Sequence, residues 1–367
     1  MPKDSTRRIR PRSVVVLACV ALAGCGGGGT GTSHSGATQA GRIDKAHTEQ
    51  ATLILDFTPN AVHAGIYTAL AEGWYRQAGI DLKVLAPSAT TETLDLIDAG
   101  KAQFGLADGS DVASLIAKGG DAKAVLALGQ RPFGGLIGLA SEHLSSPAQL
   151  QGRTVGITGV PSDTAVLDTE VKDAGGDPAK VKVANVGFNG PQALVAGRIA
   201  AFTGFIPDEG VQLGLSGHPT TSFALDRWGG PSYPGLVAFT TRKLIAGDPS
   251  LVKGFVAATV KGYEAVLADP KLGLKDLLKA NPGLPAGLTW ASLKAYLPLF
   301  VGGQGAAKGG HATGRSRGRT AAAVTFGTLQ KRKLKAMSEW MLGNGLISDT
   351  VRSARYGTNR FLPSGRH

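Results

Sequence analysis

Residues 51–86 read ATLILDFTPNAVHAGIYTALAEGWYRQAGIDLKVLA. The opening ATLILDF is a short apolar run rich in aliphatic side chains, the signature of a buried strand. From Ala61 the apolar residues recur at three- and four-residue spacing until Gly79, which reads as a helix stopped by glycine. IDLKVLA then returns to the strand pattern. Working outward, the alternation persists through helix TETLDLIDAGK (91–101), strand AQFGLA (102–107), helix DVASLIAKGG (111–120) and strand AKAVLALG (122–129). A second run follows GGLIGLA (134–140). It reads helix SPAQLQG, strand RTVGIT, helix SDTAVLDTEVKDAGG, strand KVKVANV, helix GPQALVAG, strand IAAFTGF and helix DEGVQLGLSG (208–217). YPGLVAFTTR (233–242) reads as a strand returning to the first unit. Helices fill 248–300, where Leu251, Phe255, Tyr263 and Leu267 make a core stripe. A last helix covers about 329–347.

This order predicts an α/β fold of two lobes, each a mostly parallel sheet flanked by helices. Lobe 1 is expected over 51–138 plus 239–367 and lobe 2 over 139–238, with a hinge near Leu136–Ala140 and Leu236–Thr240. Open α/β sheets bind ligands outside the carboxyl ends of their strands. Two such ends facing each other make a cleft that can close on a ligand.

The chain has 367 residues, enough for two lobes of ordinary size. Arg7, Arg8, Arg10 and Arg12 precede an apolar run from Ser13 to Leu22, too short to span a bilayer, which ends Leu22-Ala23-Gly24-Cys25. Residues 1–24 resemble a bacterial lipoprotein signal with its lipobox, which implies lipidation of Cys25. The Arg7-Arg8 pair leaves open whether export runs through the Sec or the twin-arginine route. Residues 25–50 are Gly/Ser/Thr-rich and read as a flexible tether. Cys19 falls in the signal, so the mature chain keeps Cys25 alone, without a partner for a disulfide or a thiolate metal site.

The net charge of +12 is unevenly placed. Five Lys/Arg and one Asp fall in the first 24 residues, and eight Lys/Arg with no acid fall in 301–335. The remainder is balanced. The basic Gly-rich stretch of about 301–330 carries few aromatics and reads as a solvated loop, so no nucleic-acid partner is expected. The seven histidines show no paired ligand spacing, and neither HExxH, GxSxG nor GxxxxGK[ST] occurs. No metal, cofactor or catalytic residue is expected.

Leu55-Asp56-Phe57-Thr58-Pro59-Asn60-Ala61-Val62-His63-Ala64-Gly65-Ile66-Tyr67 resembles the opening motif of the thiamine-pyrimidine precursor family of solute-binding proteins. That family is grouped with the sulfonate- and nitrate-binding proteins of ABC transporters. Ala99-Gly100-Lys101 through Gly105-Leu106-Ala107, Leu150 through Gly156, and Phe202-Thr203-Gly204-Phe205 through Glu209-Gly210 follow its order and spacing. The resemblance implies a type II periplasmic-binding-protein fold and a small-molecule ligand held between the lobes. It also implies an ABC permease as partner, a monomer, and a place at the outer face of the cytoplasmic membrane. The ligand implied is a pyrimidine precursor of thiamine or a similar flat heterocycle, with aliphatic sulfonate, nitrate or riboflavin as alternatives. The family also includes synthases of the thiamine pyrimidine, with a lysine and a histidine four residues apart and a cysteine motif. Ala107 and Asp111 stand at the first two positions, and Tyr233-Pro234-Gly235-Leu236-Val237 holds no cysteine, so a non-enzymatic role is expected.

The candidate ligand-binding residues are Phe57, Asn60, His63, Asp108, Asp111, Ser162, Thr164, Phe205, Glu209 and Tyr233. Phe57 ends a strand, where the family usually has tryptophan, and can stack on a flat ring. Asn60 caps the next helix or meets ligand, and His63 is a candidate donor to a ring nitrogen or phosphate. Asp108 and Asp111 start a helix, as caps or as ligand contacts. Ser162 and Thr164 flank a helix start that suits an anion, although Asp163 opposes one. Glu209 follows a strand end, where the family's acidic residue accepts hydrogen bonds from an exocyclic amine. Phe205 and Tyr233 complete an aromatic wall, and Tyr67 is expected to pack in the core.

Overall fold

The computed structural model describes residues 48–302 and 326–364. The expected signal segment, Cys25, the expected tether as far as residue 47 and most of the basic stretch lie outside the described residues. Among the described residues there are ten strands: β1 (Glu49–Ile54), β2 (Ile80–Leu85), β3 (Phe104–Ala107), β4 (Lys123–Gly129), β5 (Gly134–Leu139), β6 (Thr154–Ile157), β7 (Lys182–Asn185), β8 (Ala201–Phe205), β9 (Thr220–Ala224) and β10 (Leu236–Thr240). They form two five-stranded sheets, ordered β2-β1-β3-β10-β4 and β7-β6-β8-β5-β9. In each sheet the first three strands are parallel and the fourth runs against both its neighbours. The sheets are therefore mostly parallel, as expected, with one reversed strand inserted in each.

That reversed strand marks where the chain changes sheets. After β4 it enters the second sheet as β5, and after β9 it returns to the first as β10. The crossings therefore lie at 130–133 and 225–235, not in the hinge stretches Leu136–Ala140 and Leu236–Thr240, most of which are strand. Gly134 and Gly135, in the GGLIGLA stretch that the sequence reading left unassigned, both pair with β8. A Cβ on Gly135 would stand 1.9 Å from the carbonyl oxygen of Phe223, so the glycine is needed for β9 to approach. β9 itself had no sequence signal beyond Phe223, being a short edge strand with mostly polar side chains.

The helix expected over 61–79 is divided. A 3-10 turn, Ala61–His63, leads into helix Ala64–Ala71, and Gly73, at a φ of 69°, breaks the run before helix Trp74–Gln77. Helix Pro249–Ala268 lies against the first sheet, and its Phe255 ring stacks on Phe104 at 3.8 Å. Leu251, Phe255 and Tyr263 are buried, Leu267 is partly so, and Tyr67 packs in the same core. The Tyr263 hydroxyl donates to the carbonyl of Val62 at 2.7 Å. That bond fixes the turn after β1 from below, and the ring fits only because Gly65 has no Cβ to strike it. Among the described residues no helix is long and apolar enough to cross a membrane.

Candidate functional site

The carboxyl ends of β1, β3, β6 and β8 converge on a cavity of about 130 Å³ between the two sheets. Short strands that stop together leave their following turns pointing into one space. Asp56 and Phe57 come after β1, Ala107 ends β3 and Asp108 follows it, Thr158 follows β6, Phe205 ends β8, and Asp208 and Glu209 follow it. Gly134 and Gly135 floor the cavity at the start of β5.

Six carboxyl groups line it: Asp56, Asp108, Asp111, Asp163, Asp208 and Glu209. No Lys, Arg or His lines it among the described residues. Arg131 is paired with Asp226 at 2.6 Å, and Arg153, on the surface, with Glu142 at 2.8 Å. Burial, the first cause in each case, raises the carboxyls of Asp108, Asp111 and Asp163, and Asp111 stands well above the usual range. Hydrogen bonds from Ser110 and Ser162 pull Asp108 and Asp111 back in part. Burial pushes Asp208 up to about 6. Glu209 is pushed up to about 8 by burial and then by the charge of Asp208. A cavity of this kind is short of positive charge and rich in carboxyl oxygens, so a cationic or amine-bearing ligand complements it.

The side chains have distinct local causes. Glu209 lies in a π-turn, Ile206–Gly210, and folds back so that Oε2 accepts from the Phe205 amide at 2.5 Å. A Cβ on Gly204 would stand 2.6 Å from that oxygen, so the glycine leaves the space the carboxyl occupies. Asp108 is the N-cap of helix Gly109–Ala117 and accepts from both the amide and the hydroxyl of Ser110. Asp163 accepts from Thr158 Oγ1 and the Gly159 amide, each at 2.8 Å. Asp111 accepts from the Ser162 amide at 3.0 Å and from its hydroxyl at 3.2 Å, reaching from the first sheet's helix to the second's.

Of the ten candidates, Phe57, Asn60, Asp108, Asp111, Ser162, Phe205, Glu209 and Tyr233 line the cavity. Asn60 also caps the turn after β1, accepting from the Val62 amide. His63 does not reach the cavity. It is fully buried, its Nδ1 accepts from the Asn60 amide at 3.1 Å, and Nε2 meets Asp56 Oδ1 at 2.8 Å. Since Nδ1 is an acceptor, the ring proton belongs on Nε2, and the histidine holds Asp56 toward the cavity instead of meeting ligand. Thr164 is exposed, because two residues along a helix turn it about 200° from Ser162. The Ser162 hydroxyl, expected to help hold an anion, donates to Asp111 at 3.2 Å, and the Ser162 amide is bonded to the same carboxyl.

Sequence reasoning missed Asp56, Asp208, Phe188 and the threonines 90, 93, 158 and 203 as lining residues. Asp56 and Asp208 each adjoin a chosen residue, so neighbourhood to the strand end was an available signal. Phe188 had none. It sits in the turn Gly187–Asn189 and meets Phe57 edge-on at 4.6 Å from the opposite sheet's side. Tyr233 stacks on Trp340 at 5.9 Å, and the Trp340 indole donates to Thr169 Oγ1 at 2.8 Å.

The family model described as NMT1/THI5 like matches residues 60–272, more than half of the chain and most of the residues that line the cavity. The chain belongs to the NMT1/THI5-like family. Within that family it is similar to the formylaminopyrimidine-binding protein of Halalkalibacterium halodurans, 31% identical over 231 residues that cover 63% of this chain and 70% of the relative. It is also similar to the 4-amino-5-hydroxymethyl-2-methylpyrimidine phosphate synthase of Legionella pneumophila, 27% identical over 251 residues, 68% of this chain and 79% of the relative. Among solved structures it is similar to the alkanesulfonate-binding protein SsuA of Xanthomonas axonopodis pv. citri bound to MOPS. The TM-score is 0.63 at 14% identity, covering 85% of this chain and 99% of that one. The fold is the type II fold of periplasmic binding proteins. The family thus holds both binding proteins and synthases, and the cavity's own residues must separate the two.

Proposed function

We propose that the chain is a solute-binding protein that closes around a pyrimidine precursor of thiamine, or a similar flat amino-heterocycle. It presents that ligand to the permease of an ABC importer. The observation that carries this reading is the set of six carboxyl groups with no cation among the lining residues. A sulfonate or nitrate would find no cation among the lining residues to pair with, whereas an exocyclic amine would find acceptors. The volume of about 130 Å³ is close to the roughly 150 Å³ of an apolar cavity that takes benzene, which suits one ring better than the three of riboflavin. Phe57 and Phe188 supply apolar ring faces and edges beside the acceptors.

The synthase reading has less support. Ala107 and Asp111 line the cavity where the resemblance would require lysine and histidine, and Tyr233 lies where it would require the cysteine motif. As part of the same reading, Cys25 carries a lipid anchor that holds a monomer at the outer face of the cytoplasmic membrane. The test is isothermal titration of the wild type, Glu209→Gln and Phe57→Ala with 4-amino-5-hydroxymethyl-2-methylpyrimidine, riboflavin, taurine and nitrate. Above pH 8, where Glu209 is ionised, Glu209→Gln should lose a charge-assisted hydrogen bond of about 1.5–3 kcal/mol, roughly a 10- to 100-fold weaker Kd, and near pH 7 the loss should shrink to about 0.5–1.5 kcal/mol. Phe57→Ala should lose about 1–3 kcal/mol for any flat ligand. A wild type that takes taurine or nitrate and ignores every heterocycle would overturn the reading.

A further inference from the structure

A helix start is a ready place for an anion, because its first amides are free and its dipole is positive there. Helix Asp163–Asp173 begins at the cavity, eleven residues long, with Ser162 leading into it. The place is filled from within the protein. Asp111, from helix Gly109–Ala117 on the other sheet, sets one oxygen on the Ser162 amide and the other on its hydroxyl. Both residues are buried, at 3% and 6% exposure, and both line the cavity. The loop just ahead is closed in the same way, since the Asp163 carboxyl takes the Gly159 amide and the Thr158 hydroxyl. Four donors just ahead of the helix, the Gly159 and Ser162 amides and the Thr158 and Ser162 hydroxyls, are thus held by the chain's own carboxyl groups.

We propose that Asp111 is a specificity-determining residue: by occupying the Ser162 amide and hydroxyl at this helix start it bars anionic ligands from the cleft and admits neutral or cationic ones. The proposal rests on the cleft being the ligand site and sharpens the ligand class to the unphosphorylated heterocycle. It also ties selectivity to closure, because the carboxyl that excludes the anion is one of the bonds that join the two sides.

The test has two arms, both on the full chain. In the first, inorganic phosphate at about 10 mM is added during thermal unfolding of the wild type, Asp111→Ala and Asp111→Ser. Serine keeps a small polar group in the buried position, so it guards against a variant that fails to fold. Phosphate should raise the midpoint of a folded variant by about 2 °C or more and leave the wild type unmoved. Equal stabilisation of the wild type, or none in the folded variants, overturns the proposal. In the second arm, 4-amino-5-hydroxymethyl-2-methylpyrimidine and its phosphate ester are titrated. The wild type should prefer the free alcohol by about 100-fold, and the variants should narrow that preference at least about tenfold. An unchanged preference overturns the role of Asp111. If the wild type binds neither compound, the proposed ligand falls, while the phosphate arm still decides what Asp111 does.

Discussion

Glu209 keeps its carboxyl against the end of its own strand, where burial and Asp208 push it up to about 8. In the unfolded chain it returns to the ordinary value near 4.5. Between these two values the folded state binds more protons than the unfolded state, so stability falls as pH rises through that window. Asp208, pushed up to about 6, acts in the same direction over a narrower range. Glutamine does not titrate, so Glu209→Gln should gain stability relative to wild type as pH goes from about 5 to 8, by about 1–3 kcal/mol. Thermal unfolding of the ligand-free pair at several pH values reads this difference, and a difference that stays flat would refute it. At this scale the sequence was most legible where a residue stands at a strand end. Glu209, Asp108 and Phe57 could be placed because the turn after a strand faces the cleft. His63 could not, since its position beside Asn60 does not reveal that both ring nitrogens are engaged by protein. Phe188 came from a turn whose approach to Phe57 only the folded chain creates.

β5 shows how an element can be present in the sequence and still be left unassigned. Gly134-Gly135 looks like punctuation, because glycine is both a breaker and a residue for close approach. The structure uses the second property. Gly135 pairs with Gly204 on one side and with Ala224 on the other, with the Phe223 carbonyl against its Cα. Gly135→Ala should therefore force β5 and β9 apart and cost more than about 2 kcal/mol. Urea unfolding measures this, and a loss below about 0.5 kcal/mol would mean that β9 can move aside cheaply. The parallel strands β1, β3, β6 and β8 were legible because strands covered on both faces are apolar runs of the right length. β9 was not, since edge strands can be polar and carry little pattern.

At the scale of the molecule the two sheets are held together across the cavity by particular bonds. Asp111 meets Ser162, the Thr90 hydroxyl donates to the Thr158 carbonyl at 3.1 Å, and Trp340 donates to Thr169. The conformation is thus a closed one. Trp340 lies outside the cavity lining, so its bond bears on closure without touching ligand. Trp340→Phe should lose about 0.5–1.5 kcal/mol of closed-state stability and weaken every ligand by roughly 2- to 10-fold, with the order of preference unchanged. Titration of the same ligand set would decide it, and an unaltered Kd would show that this bond does not bias the equilibrium.

The exchanged fourth strands also give the chain an order in time. As a polypeptide emerges from its amino end, the first four strands of the first sheet appear before residue 130, yet β3 and β4 are not neighbours in it. Their common partner, β10, arrives about a hundred residues later. The second sheet has no such wait, because its five strands all fall between Gly134 and Ala224. The half of the molecule that is written first is therefore completed last, and the half written in the middle is the one whose strands can all be paired before synthesis reaches the helices that follow.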